Sequence, residues 1–166
     1  EDPFASLGGV TLEELPPGSL RFSWAGEKSA ATMVTLTKEG GVFRLEGRTG
    51  SALAGYSKSY GRVCDVSNRS ITADEAASLL RCFERSSVWK TVRQPKSGKM
   101  EDVMGFQVCD GTTWRFEKVL DDGKVRVVNH VCRPTAAARA CGTEAARLSP
   151  SRDPQREALV GDALLY

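Results

Sequence analysis

Two stretches of this chain read as rough copies of each other, and the copy limits how the chain can be built. The first runs from Phe22-Ser23-Trp24 to Thr32-Met33-Val34-Thr35-Leu36-Thr37-Lys38, turns at Glu39-Gly40-Gly41 and continues as Val42-Phe43-Arg44-Leu45-Glu46. The second runs from Phe106-Gln107-Val108 to Thr113-Trp114-Arg115-Phe116-Glu117-Lys118-Val119-Leu120, turns at Asp121-Asp122-Gly123 and continues as Lys124-Val125-Arg126-Val127-Val128. Each reads as a three-stranded meander with a glycine-bearing turn, followed by a cysteine and then an alanine-rich helical stretch. The duplication speaks to construction and is silent on chemistry.

Local patterns place the elements. Leu20-Arg21-Phe22-Ser23-Trp24 alternates apolar and polar residues, the period of a half-buried strand. Gly40 and Gly41 suit the positive φ of a tight hairpin, and Asp122-Gly123 is a second such signal. Valine enrichment from Lys124 to Val131 predicts a central strand. Thr72 and Glu75 form a capping box, and Ala76, Leu79, Leu80 and Phe83 follow as one apolar helical stripe ending near Ser86-Ser87. Pro134 fits the first position of a second helix running from Ala136 to Leu148, weakened at Gly142 by about 1 kcal/mol relative to alanine.

The fold class expected is α+β: an antiparallel sheet from two pseudo-repeated three-stranded meanders, each followed by a helix packing on one face. Residues 1–19 read as a loosely packed lead-in. Residues 20–148 read as one domain, with half-repeats at about 20–90 and 104–148. Residues 149–166 read as a tail docking on the body or on a partner. The Gly- and Ser-rich stretch from Gly47 to Gly61 reads as a long connection, with a short strand near Tyr60–Val63.

Composition bounds the function. The 166 residues carry 23 basic and 21 acidic side chains, a net charge of +2, with no basic stripe of the kind nucleic-acid binders use. The Lys90–Lys99 stretch is mildly basic but interrupted by Pro95, Ser97 and Gly98, and reads as a solvated loop. No apolar run reaches the ~20 residues of a membrane span. The opening Glu1-Asp2-Pro3-Phe4 has no basic-then-apolar leader and suits a chain whose signal peptide has been removed, so the expected localisation is periplasmic or secreted.

Five cysteines point the same way. Cys64, Cys82, Cys109, Cys132 and Cys141 include no Cys-x-x-Cys pair, and His130 is the only histidine, which disfavours structural zinc. By analogy between the halves, Cys132 pairs with Cys141 and Cys64 with Cys82, leaving Cys109 free; Cys64–Cys109 is the rival pairing. Closing the short Cys132–Cys141 loop contributes roughly 2–3 kcal/mol.

Motifs for catalysis are missing. His130 and Cys132 share a strand face about 7 Å apart, too far for a direct hydrogen bond. Glu101-Asp102 and Asp121-Asp122 sit in polar surroundings that would not raise a carboxyl pKa. No phosphate-binding or nucleophile-elbow motif occurs, and Asn68-Arg69-Ser70 is a short glycosylation match. The chain therefore reads as a non-enzyme without cofactor or metal. The first functional expectation is a protein-binding module, such as an inhibitor or immunity protein that blocks a toxin enzyme. Its partner contacts are expected on Tyr56, Tyr60, Arg93, Lys96, Lys99, Glu101 and Asp102, in the long loops. The alternatives are a binder of a small ligand or cell-envelope component on a sheet face lined by Trp24, Trp89 and Trp114, and a hydrolase using Cys109 or Cys132 with His130.

Overall fold

The computed structural model describes residues 4–26, 29–53, 63–91, 112–131 and 134–151. Six strands form one antiparallel sheet: β1 (Leu20–Gly26), β2 (Ser29–Glu39), β3 (Val42–Leu53), β4 (Val63–Ile71), β5 (Thr113–Val119) and β6 (Val125–Val131). Their spatial order is β4-β3-β2-β1-β5-β6. Two helices, α1 (Ala73–Glu84) and α2 (Ala136–Leu148), complete an α+β fold.

The two expected hairpins form. β2 and β3 turn at Gly40 (φ 55°) and Gly41 (φ 81°), and β5 and β6 turn at Gly123 (φ 79°). Each hairpin flanks β1, which pairs with β2 on one side and β5 on the other. The first strand expected of the second meander, Phe106–Val108, lies outside the described residues. β1 lies inside the sheet and every one of its residues is buried, so it is covered on both faces rather than half-buried. The valine-rich β6 ends the described order instead of lying at its centre, and Val127 and Val131 are about half exposed.

The stretch beginning at Gly47 is not a loop at its start. β3 runs on through Leu53, and a nine-residue β4 pairs with it. Gly47 marks a close approach instead: a Cβ there would lie 3.0 Å from Ser149 Oγ and 3.2 Å from the Ser151 backbone nitrogen. The chain after α2 thus crosses β3, and Ser151 Oγ bonds Thr49 Oγ1 at 2.8 Å and donates to Asp65 at 3.3 Å.

The helices have sequence-encoded ends. Thr72 Oγ1 accepts from Glu75 N at 3.2 Å, and the Glu75 carboxylate accepts from Thr72 N at 2.9 Å. The Thr72 backbone bond first, then Arg69, whose Nη2 donates to Glu75 Oε1 at 3.3 Å, hold the Glu75 carboxyl below its usual range. A 3-10 turn over Ser86–Trp89 follows α1. Pro134 lies before α2 instead of at its first position, and Thr135 is the N-cap, its hydroxyl accepting from Ala138 N at 3.1 Å. Arg69 on β4 donates to the Leu148 carbonyl at 3.0 Å, a cation at the negative end of α2.

One core joins sheet and helices. Leu20, Phe22, Trp24, Val34, Leu36, Leu45, Trp114, Phe116 and Val128 meet Leu79, Phe83, Ala138, Ala145 and Leu148. Phe22 is its aromatic centre, with Trp24, Trp114 and Phe116 at ring separations of 5.2, 5.5 and 4.9 Å. Trp24 and Trp114 are thereby buried in the core, and Trp89 packs on its edge, its Nε1 donating to Phe83 O at 2.7 Å. Within this layer lies an apolar gap of about 10 Å³, near the least volume that holds one water.

Cys82 and Cys141 form a disulfide that joins α1 to α2, with 5.4 Å between their Cα atoms. This corrects the expected pairing, because Cys64–Cys82 and Cys132–Cys141 each require a thiol already used. The analogy between halves joined each helix to its own strand; the observed bridge joins the helices to each other. Ser78 Oγ reinforces it, donating to Glu144 Oε1 at 3.2 Å. Cys109 and Cys132 lie outside the described residues. Among those described, no helix is long and apolar enough to cross a membrane.

Candidate functional site

Strand register brings several chain exits to one end of the sheet. There Gly26 pairs with Ser29, Ala30 with Leu53, Ala25 with Thr113, and Thr113 with Val131. Val63 opens β4 at the same end, opposite Gly50. Residues 27–28, 54–62 and 132–133 therefore connect here, and 92–111 rejoin the sheet here. The residues expected to contact a partner all belong to two of these segments. Tyr56 and Tyr60 fall in 54–62, and Arg93, Lys96, Lys99, Glu101 and Asp102 in 92–111; all seven lie outside the described residues.

The helix-side wall near this end is tied together by side-chain contacts. His130 is 2% exposed, its Nε2 lies 2.8 Å from the Val88 carbonyl, and its ring meets Phe116 edge-on at 5.6 Å. A carbonyl only accepts, so Nε2 is the donor in this bond. Nδ1 has no partner among the described residues. The histidine thus ties β6 to the turn that launches residues 92–111. Arg126 stacks over Trp89 at 4.6 Å and holds the same turn from β6.

The face opposite the helices carries a second construction. Arg21, Ser23, Ala25, Ala31, Met33, Thr35, Glu46, Arg48, Arg115 and Glu117 share it, since register partners point the same way. The N-terminal segment lies across them and is packed more closely than its composition predicts. Leu7 is completely buried, Phe4 nearly so, and both cluster with Ala25, Ala31 and Met33. Three guanidinium groups grip this arm. Arg48 Nη1 donates to Leu7 O at 3.3 Å, Arg21 Nη2 donates to Val10 O at 2.6 Å, and Arg115 lies 4.8 Å from the Phe4 ring centre.

Arg21 is the electrostatic pivot. It is only 7% exposed, donates from Nε to Thr35 Oγ1 at 3.1 Å and faces Glu117 across the strand pair. Burial pushes its pKa down, and the charges of Glu117, Glu46 and Glu13 oppose that shift. Gly9 lets the arm pass flat over Arg48: its φ is 99°, and a Cβ would lie 3.0 Å from Arg48 Nε. Glu14 steadies the arm from within, accepting from Thr11 N and Oγ1 at 2.9 and 2.8 Å.

Sequence reasoning missed this arrangement. Its signal was the alternation in β1, where Arg21 and Ser23 stand between Leu20, Phe22 and Trp24. Polar residues inside a wholly buried strand require a polar cover on that side. Among the described residues no group of three or more His, Cys, Asp or Glu side chains comes together to hold a metal. The chain matches no protein-family model, no curated protein and no solved structure.

Proposed function

We propose that this chain is a non-catalytic extracytoplasmic module that binds a protein partner, acting as an inhibitor or immunity protein that occludes a toxin enzyme. The observation that carries this reading is that segment 54–62, bearing Tyr56 and Tyr60, leaves and re-enters at the same end of the sheet where segment 92–111, bearing Arg93, Lys96, Lys99, Glu101 and Asp102, rejoins it. A sheet end from which long segments project is the usual support for a protein-contact surface. We read the two hairpins, each followed by a helix, as a duplicated frame that keeps this end fixed.

Rigidity supports the same reading. The disulfide clamps the helix layer, and His130 and Arg126 fasten the turn that precedes residue 92. Less ordering on binding leaves more of the contact energy as affinity. The disulfide, together with the lack of a spanning helix among the described residues, is compatible with an oxidising compartment outside the cytoplasm. The aromatic rings that a ligand pocket would use, Trp24 and Trp114, serve the core instead.

The test is affinity capture with the intact chain from an extract of its source, followed by reconstitution with the purified partner. A stoichiometric complex is expected. Replacing Tyr56 and Tyr60 with alanine should weaken it at least tenfold while the thermal midpoint stays within 2 °C or so, since surface changes of this kind cost little stability. A chain that stays partnerless in source extracts, or a complex indifferent to both segments, overturns the reading.

A further inference from the structure

The floor beneath the N-terminal arm is unlike the core on the other side of the same strands. The helix side of β1 is Leu20, Phe22 and Trp24; the arm side is Arg21, Ser23 and Ala25. Arg21 and Glu117 are both at least nine-tenths buried there, and Ser23 Oγ is buried with no partner among the described residues. Burying charge under a permanent cover is costly, and a permanent cover is served better by apolar packing. Such a floor suits a face that also exists uncovered, in water.

Charge favours the present occupant. Residues 1–19 include Glu1, Asp2, Glu13 and Glu14 and no lysine or arginine. The face beneath carries Arg21, Arg44, Arg48 and Arg115 against Glu39, Glu46 and Glu117. The arm is read in three ways: Phe4 and Leu7 pack over Ala25, Ala31 and Met33, two carbonyls accept from arginines, and Gly9 leaves room for Arg48. Phe4 caps a 3-10 turn over Ala5–Leu7 that brings the two anchors to one side, and grooves that take short helical segments read anchors at this spacing.

We propose that this face is a docking groove for an acidic segment of a protein partner that forms a short helical turn, with an aromatic and an aliphatic anchor three residues apart. Residues 4–15 are its built-in occupant, which the partner segment displaces. The identity of the occupant rests on the protein-binding reading above; the exchangeability of the arm does not.

The experiment uses the full-length chain and a synthetic peptide of residues 1–15. In the parent the tethered arm competes at an effective concentration of about millimolar, so peptide at tens of micromolar leaves the Arg21 and Arg48 Nε signals in the NMR spectrum unmoved. In the full-length Phe4→Ala/Leu7→Ala variant the peptide binds and returns those signals to their parental positions. Adding Arg48→Gln or Arg115→Gln weakens binding at least tenfold, and raising salt weakens it further. Should the double variant misfold, full-length Gly9→Ala dislodges the arm at Arg48 without touching the apolar anchors and gives the same readout. Failure of the peptide to bind either opened and folded variant, or binding indifferent to both arginine changes, overturns the groove. A parent chain that forms a concentration-dependent dimer with exchanged arms overturns the separate partner in favour of a second copy. If a captured partner binds the parent and the opened variant equally while the peptide still binds the latter, the partner docks elsewhere and only the arm exchange stands.

Discussion

Replacing Gly142 with alanine should destabilise this protein, although it sits mid-helix where alanine is the better helix former. Propensity alone predicts a gain of about 1 kcal/mol. Packing opposes it: a Cβ at this position would lie 2.7 Å from both Trp114 Cε3 and Phe22 Cζ, and closer still to Trp114 Cζ3. Ordinary carbon contacts begin near 3.5 Å, so the rings must retreat by roughly 0.8 Å or more. Trp114 has little room to do so, because Phe22 lies edge-on to it at 5.5 Å and His130 stands opposite it on β6. Overpacking of this kind costs about 1–3 kcal/mol, and two rings in contact argue for the upper end. The net loss is then about 2 kcal/mol, a fall of about 4–8 °C in the melting midpoint for a chain of this size. Urea denaturation and thermal melting of the oxidised protein read it directly, with exposed Arg139→Ala in the same helix as the control. A Gly142→Ala protein as stable as the parent, or more so, would refute the claim that α2 touches the sheet through this glycine.

The Cys82–Cys141 bridge spans 59 residues, so its removal by Cys82→Ser with Cys141→Ser should cost about 4 kcal/mol by loop-closure entropy, seen as an earlier urea midpoint. Thr72→Ala removes the cap of α1 and should cost about 1 kcal/mol, measured the same way. The depressed carboxyls of Glu75 and Glu144 stabilise the fold fully above the unfolded-chain carboxylate pKa, and that contribution disappears as pH falls through their lower folded values. Stability profiles between pH 5 and pH 2 should therefore decline less steeply in Glu75→Gln than in the parent.

The sequence was a good guide wherever the signal is local. Gly40-Gly41, Asp122-Gly123 and the Thr72/Glu75 box each determine a turn or a helix start within a few residues, and each appears in the structure. What it hid depends on distant partners. β4 is polar, Val63 to Ile71 containing Asp65, Ser67, Asn68, Arg69 and Ser70, and is a strand because β3 extends alongside it. Gly47 and Gly142 look like flaws in their elements and are instead places where another segment comes too near for a side chain. Valines usually signal an inner strand, yet β6 ends the described sheet while the mixed-polarity β1 lies inside it. The disulfide followed a helix-to-helix contact that spacing does not reveal. The proposed contact residues in 54–62 and 92–111 lie outside the described residues, and the cluster of Arg21, Arg48 and Arg115 went unread because it is assembled by strand register across β1, β3 and β5.

Hydrogen exchange of the intact chain with and without its captured partner asks most directly whether a fixed sheet end presents the binding segments. Slowed exchange is expected in residues 54–62 and 92–111 and in the flanking backbone at Leu53, Val63 and Thr113, with α1 and α2 unchanged. Protection confined to the helix layer, or a complex that leaves both segments as open as before, would contradict it.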